Sequence, residues 1–371
     1  MNAYNRRQLM ALAFVFSLAP VMRLIPKYTA QGAGSGSWLA PVIALPLILL
    51  YICFLSAFLK NRSAGEGMGE MIKRGAGNIA GGGALLLIAA NAIFYCGFIL
   101  RSGADRFVAE IYTAASPFPF VIVMLILGLI AALGPKKAIV RAAKIFAPIL
   151  WAVLTLVLVF GLTTVKLSNL LPLTRDGALP LLRGAVPVVN VYLGVLVYAS
   201  FFEGQCPIEN RRARAWALWL LPVILLLTAD GTAIVGNYGA ALTSRLSYPF
   251  FTILRDVTIF NSIERIEAFV VALWVLPDFI VFAVALTSAV KCIQLAFDLS
   301  PAEDAGMRDM KNGRWLIPVC AAAAVIVAVI LPADARVMQY YSSRVVPALN
   351  LGVCLVILPL CYAVGKLRGR I

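Results

Sequence analysis

The stretch SLAPVMRLIP, Ser17 to Pro26, lies inside an apolar run and carries two prolines, Pro20 and Pro26, with Arg23 between them. A second interruption, GAVPVVNVYLGV from Gly184 to Val195, places Pro187 and Gly194 inside another apolar run. Proline lacks the backbone donor that an α-helix needs and crowds the carbonyl one turn back. Hydrocarbon tolerates the freed groups only where they face protein or a water-filled cavity. Paired interruptions in corresponding places of two chain halves therefore read as broken helices around a central site, where helix ends and unwound carbonyls meet a small ligand. Plain proline kinks are the alternative reading.

The composition puts both runs in a membrane. The chain has 371 residues, 62% of them hydrophobic and only 13% charged, against about 25% charged in soluble domains. Apolar windows of spanning length fall at roughly 8–29, 38–59, 79–101, 118–133, 141–163, 185–203, 214–240, 263–290, 315–331 and 345–365. The expected architecture is an all-α integral membrane protein, a single domain over 1–371. About ten transmembrane helices form a 5+5 inverted repeat, roughly 8–163 and 185–366, with helices 1 and 6 broken. With the N-terminus in the cytoplasm, most of the 32 Lys and Arg residues fall in cytoplasmic connections, which predicts that the C-terminus is cytoplasmic too. The run from Gln8 to Leu24 lacks a cleavage site and reads as a retained span.

Several classes are excluded. The net charge of +15 is scattered in short clusters between spans, which argues for topology signals and against nucleic acid. The seven cysteines have no paired spacing, so neither disulfides nor a metal site is expected. Histidine is absent, no nucleophile motif occurs, and neither an enzyme nor a cofactor is expected. The Gly-rich stretch NRSAGEGMGEMIKRGAGNIAGGG, Asn61 to Gly83, lacks the phosphate-loop spacing and reads as a linker with a short interfacial helix.

Ionisable groups inside a bilayer are costly and usually face a cavity or each other. Arg23 and Asp230 lie at similar depth, about 22 Å along their helices at 1.5 Å per residue, and could pair. Asp278, in WVLPDFIVF near mid-membrane, is either a ligand or proton site or an acid neutralised by a nearby base. Thr287 and Ser288 could coordinate sodium together with carbonyls near Ser17 to Pro20, or bond to their own helix. Lys144 could stand in place of that ion, or be a snorkelling anchor. Candidate substrate contacts are Ser17, Leu18, Ala19, Pro20 and Val21 in the first break and Asn190, Tyr192 and Gly194 in the second. Asn91 and Tyr95 share a helix face, and Tyr198 lies further along the sixth span.

The charged stretch YPFFTILRDVTIFNSIERIEAFVVALWVL, Tyr248 to Leu276, resembles the segment leading into the eighth helix of GerAB-type spore germination permeases. LGPKKAIVRAAKIFAPIL is similar to that family's lead-in to helix five, and LSNLLPLTRDGALPLLRGA to its Asn-Leu-x-Pro loop before helix six. The resemblance covers nearly the whole chain. It implies the amino acid, polyamine and organocation superfamily and a LeuT-like fold in the bacterial inner (spore) membrane. It further implies a membrane subunit of a nutrient-germinant receptor, binding an amino acid or similar nutrient beside an A-type membrane subunit and a C-type lipoprotein. A proton- or sodium-coupled amino-acid transporter is the alternative. Arg255, Glu264, Arg265 and Glu267 would then lie in an extracytoplasmic loop, where they meet water, a partner or a lid. Two departures stand out: FSLAPVMR has no glycine at the helix-one break, and LVYASFF has no acidic residue in helix six.

Overall fold

The computed structural model describes residues 4–110, 116–173, 177–208, 212–256, 270, 272–299, 313–331 and 334–370, without the side chains of residues 23, 24, 255, 256 and 335. Twelve helices are used as landmarks: α1 (Arg6–Ala33), α2 (Ala40–Phe58), α3 (Met68–Ala76), α4 (Asn78–Glu110), α5 (Phe118–Leu133) and α6 (Lys136–Thr163), then α7 (Ala178–Ser200), α8 (Arg212–Thr243), α9 (Pro249–Asp256), α10 (Val275–Ala296), α11 (Leu316–Ile330) and α12 (Arg336–Leu367). Among the described residues seven helical stretches are long and apolar enough to cross a membrane, and α5 and α11 are shorter apolar helices.

Local chemistry sets the boundaries. Asn5 caps α1 in a reciprocal box with Gln8, and Gly34, at φ 58°, ends it. Such a positive φ suits glycine because it has no Cβ to clash. The Glu70 carboxylate accepts from the Gly67 N–H at 2.9 Å to start α3, and Gly77, at φ 88°, stops it. The expected linker helix is therefore present, but it is packed inward: Met68, Met71 and Ile72 are fully buried.

Apolar side chains sort by face. Ile122, Ile126 and Ile130 of α5, Leu221 and Leu225 of α8, and Ile326 and Ile330 of α11 are exposed at helical spacing, as a lipid-facing surface requires. Inside, α1 packs on α7 and α4 on α10. The first pair crosses backbone to backbone: a Cβ on Gly32 would lie 2.8 Å from Gly184 Cα, and one on Gly184 would lie 2.5 Å from Ala33 Cβ. Small residues permit such close approach.

The expected breaks in helices 1 and 6 are not found. α1 runs unbroken through Pro20 and Pro26, and α7 through Pro187. One proline removes one N–H, and the bonds on either side hold the helix together, so interruption in sequence is not unwinding in space. Irregular backbone occurs elsewhere. α8 contains non-helical Gly239 (φ 71°, ψ 159°), and α12 contains two π-helical turns, Tyr341–Val345 and Val353–Ile357. Each π turn is followed two residues on by a proline, Pro347 or Pro359. The wider turn moves carbonyls away from the ring and hands them to later donors.

One face of the bundle collects both chain ends. Tyr4 donates to the Phe202 carbonyl, and Arg368 donates to Ala76 O at 2.9 Å. Here Glu203, 2% exposed, accepts from Arg212 Nε at 2.8 and 3.0 Å and from Trp216 Nε1 at 3.1 Å. Arg212 also reaches Ser56 and Ser200, while Arg62 donates to the carbonyls of Glu66, Glu203, Cys206 and Pro207. Arg62 and Arg212 are buried struts on this face, because their guanidinium forks satisfy several acceptors at once.

Candidate functional site

α1, α4, α7 and α12 meet around a cavity with an empty volume of about 570 Å³, its open mouth included. The part of it that water-sized groups can reach is about 50 Å³, less than the roughly 300–1,000 Å³ of typical small-ligand sites. Periodicity explains the lining. Asn91, Phe94, Tyr95 and Phe98 follow the i, i+3, i+4, i+7 pattern of one face of α4. Val191, Gly194, Val195 and Tyr198 do the same on α7, with Asn190 one turn before Gly194, and Ser342, Val346 and Asn350 follow at steps of four on α12. α1 adds Phe16 and Pro20.

The walls are aromatic and the polar groups are amides and hydroxyls. Phe16 lies 5.6 Å from Tyr198, and Tyr95 stacks on Tyr198 at 6.3 Å. Asn91 Nδ2 is 3.5 Å from the Tyr198 hydroxyl. Asn350 Nδ2 donates to Asn190 O at 2.7 Å and to Asn190 Oδ1 at 2.8 Å.

Six of the expected contacts converge here: Pro20, Asn91, Tyr95, Asn190, Gly194 and Tyr198. Ser17, Leu18, Ala19, Val21 and Tyr192 are buried but do not line the cavity; the Ser17 hydroxyl donates to Phe14 O at 2.7 Å. With α1 unbroken, its side chains point in all directions and only one stripe faces the cavity. The sequence reading placed a span at 345–365 but did not make it a wall of the cavity. Its signal was available: Asn350 is an amide inside the apolar run VVPALNLGVCLVILPL, and polar groups in such runs usually face inward.

Ser342 also lines a wider vestibule on the face away from the chain ends, together with Lys27, Tyr28, Arg101, Asp105, Tyr248, Arg336 and Gln339. The two spaces thus share a wall at the first π turn. In the vestibule, Arg101 pairs with Asp105 at 3.0 Å, and Lys27 Nζ is 3.4 Å from Gln339 Oε1. On the opposite face a third cavity is lined by Lys136, Gln205, Thr287, Lys291, Gln294 and Arg314 among others, with Lys291 paired to Glu70 at 2.8 Å.

The remaining candidates separate. Asp278 lies in the first turn of α10, nearer the vestibule face than mid-membrane, because the helix starts at Val275. Its Oδ2 accepts from Arg106 Nη2 at 2.6 Å, with both side chains 0% exposed. Arg106 had no place in the sequence reading. Thr287 Oγ1 donates within its own helix to Ala283 O at 2.7 Å and Val284 O at 3.1 Å, while the Ser288 hydroxyl is buried without a partner among the described residues. Lys144 stands on the exposed face of α6, away from the cavities described, because the polar end of this lipid-facing helix face is where a snorkelling cation settles. Asp230 is buried at 1% exposure; the Arg23 side chain that would pair with it lies outside the described residues. So do the Arg255 side chain and residues Glu264, Arg265 and Glu267.

A helical bundle with apolar outer faces, in which four helices surround an aromatic and amide cavity beneath a vestibule, is that of a multi-pass membrane protein. The fold agrees with that of MhsT in complex with L-phenylalanine (TM-score 0.66, 16% identity, 98% of this chain and 88% of that one). It agrees also with the nucleobase-cation-symport transporter Mhp1 with bromovinylhydantoin bound (TM-score 0.65, 13% identity, 95% and 77%). These neighbours fit the LeuT-like fold expected above. The sequence profile of the spore permease family, described as "Spore germination protein", matches residues 5–335, and the chain belongs to that family. Spore germination protein A2 of Bacillus subtilis (strain 168) is 21% identical over 286 residues, covering 76% of this chain and 77% of the relative.

Proposed function

We propose that the protein is the membrane subunit of a spore nutrient-germinant receptor, in which a small nutrient, foremost an amino acid, binds the central cavity and shifts a conformational equilibrium read by partner subunits. The observation that carries this is the cavity itself, closed by α1, α4, α7 and α12 and sharing Ser342 with the vestibule. Pro20, Asn91, Tyr95, Asn190, Gly194 and Tyr198 are the ligand contacts of this reading. A ligand moves such an equilibrium only by binding one conformation more tightly than the other. The basic clusters that accompany both termini support a cytoplasmic placement of that face, with the vestibule opening outward. Packing of α1 on α7 and α4 on α10 supports two inverted five-helix repeats, about 8–163 and 185–366. The A-type membrane subunit and C-type lipoprotein are the partners this reading calls for.

The test is reconstitution of the purified protein in liposomes, with labelled amino acids presented with and without proton and sodium gradients. Saturable binding without uptake is expected. Gradient-driven accumulation would replace the receptor by a coupled transporter and identify the ion.

A further inference from the structure

The contact between Asn190 and Asn350 goes further, on the premise that the central cavity is the ligand site. Asn350 Nδ2 donates to two acceptors of one residue, Asn190 O at 2.7 Å and Asn190 Oδ1 at 2.8 Å. The first is a backbone carbonyl and can only accept, so it fixes which end of the Asn350 carboxamide faces α7. The second in turn fixes Asn190. One acceptor, Asn350 Oδ1, and one donor, Asn190 Nδ2, then remain on two side chains that both line the cavity. The described contact of Asn350 Oδ1 is the weak donor Cys354 Sγ, 3.9 Å away.

Gly194 keeps the arrangement in place. A Cβ on it would lie 2.8 Å from Oδ1 and 2.9 Å from Nδ2 of Asn350, so the carboxamide rests directly on bare helix backbone.

We propose that Asn190 and Asn350 form a donor–acceptor dyad that reads the head group of the ligand, and that Asn350 makes α12 a specificity-determining element. The matching chemistry is an acceptor beside a donor on neighbouring atoms, with an apolar body that takes the aromatic wall of Phe16, Phe94 and Phe98. A cis-amide edge has this pattern, and so does the carboxylate and ammonium of an α-amino acid. A buried cavity punishes any head-group atom left without a partner, which turns the dyad into a filter.

Ligand-observed saturation-transfer NMR on the full chain in nanodiscs tests this with four probes: 2-pyrrolidone, N-methyl-2-pyrrolidone, L-alanine and L-phenylalanine. Saturable binding is expected for 2-pyrrolidone or an amino acid, and the stronger of the two tells a cyclic amide from an α-amino acid. N-methyl-2-pyrrolidone, which lacks the donor, should bind more weakly than its parent. Asn350→Leu and Gly194→Ala should each weaken binding by at least about tenfold. The second variant removes no polar atom from the cavity and acts by pushing the carboxamide aside. Size-exclusion profiles like that of the wild type establish that both variants fold. Unchanged affinity in Asn350→Leu overturns the dyad, as does failure of all four probes to bind the wild type. Gly194→Trp separates the two readings. Loss of binding there with none in Asn350→Leu removes the dyad alone, while binding that survives a blocked cavity removes the central site as well.

Discussion

Arg106 and Asp278 meet at 2.6 Å with no exposure, and the guanidinium lies 5.4 Å from the Phe107 ring and 5.7 Å from the Phe251 ring. Trp274 closes the other side, 5.1 Å from Phe250 and 5.6 Å from Phe251. The pair thus fastens α4 to the start of α10 beneath the short helix α9. Among the described residues Arg106 Nε and Nη1 and Asp278 Oδ1 have no further hydrogen-bond partner, so each charge depends heavily on the other. Removing one member of a buried pair typically costs about 3–5 kcal/mol, since the survivor keeps its charge and loses its compensation. Asp278→Asn should therefore lower the apparent melting temperature in detergent sharply, and Arg106→Met combined with Asp278→Leu should recover most of the loss. An equal loss in single and double variants would mean that the charges are not what matters. The same experiment bears on proton coupling. If Asp278 serves structure alone, any ligand binding retained by Asp278→Asn should keep the wild-type pH dependence. Neither half of this pair could be paired from sequence, because 172 residues separate them and nothing in the local pattern of either one names its partner.

Single helices were far easier to read than their irregularities. Apolar length gave most of the spans, and the two helices whose prolines drew attention, α1 and α7, both line the central cavity. What failed was the inference from proline to unwinding, since one missing donor does not unmake a helix held by its neighbours. The π turns of α12 had no comparable signal: prolines occur in α1, α2, α6, α7 and α8 as well, so a proline does not announce which backbone response it will meet. Helix contacts were equally silent, although the small residues that allow them were visible. At the α1–α7 crossing an added Cβ on Gly184 would lie 2.5 Å from Ala33 Cβ and 3.2 Å from Thr29 O. Gly184→Val should force the helices apart at a cost of about 1–3 kcal/mol, read as a lower apparent melting temperature and reduced monodisperse yield. Gly83→Ala is the control: it points into open space on α4 and, with better helix propensity, should be neutral or slightly stabilising. Equal behaviour of the two variants would show that the crossing is looser than the distances imply. The loop after α7 offers a second handle, because Glu203 ties together α7, α8 and, through Arg212, α2. Glu203→Ala leaves Arg212 and the Trp216 N–H without their acceptor and should destabilise by about 3–5 kcal/mol, more than Glu66→Ala, whose 2.8 Å ion pair with Arg74 is partly solvated.

Across the whole molecule, the residues near both chain ends make their contacts on one face and the vestibule opens on the other, which predicts a direction for the bundle in the membrane. Tyr4, Arg62, Lys73 and Arg368 all make contacts on one face, through Phe202 O, Glu203 O, Leu295 O and Ala76 O. Lys27, Gln339 and Ser247 gather at the vestibule on the other. Positive residues in short connections are retained in the cytoplasm, so the face with both chain ends should be cytoplasmic and the vestibule should open outward. This orientation decides whether a nutrient arriving from outside meets the vestibule first, as a receptor requires. Impermeant thiol labelling of intact cells expressing the protein tests it directly. Ser247→Cys should be labelled from outside, and Ser63→Cys only after permeabilisation. Native background should be low: six of the seven cysteines are buried, and Cys53 is exposed on the apolar helix α2, where a charged reagent finds no aqueous path. Labelling of Ser63→Cys in intact cells, with Ser247→Cys protected, would invert the molecule. The vestibule would then face the cytoplasm, and a nutrient from outside would have to enter through the cavity lined by Lys136, Lys291 and Arg314.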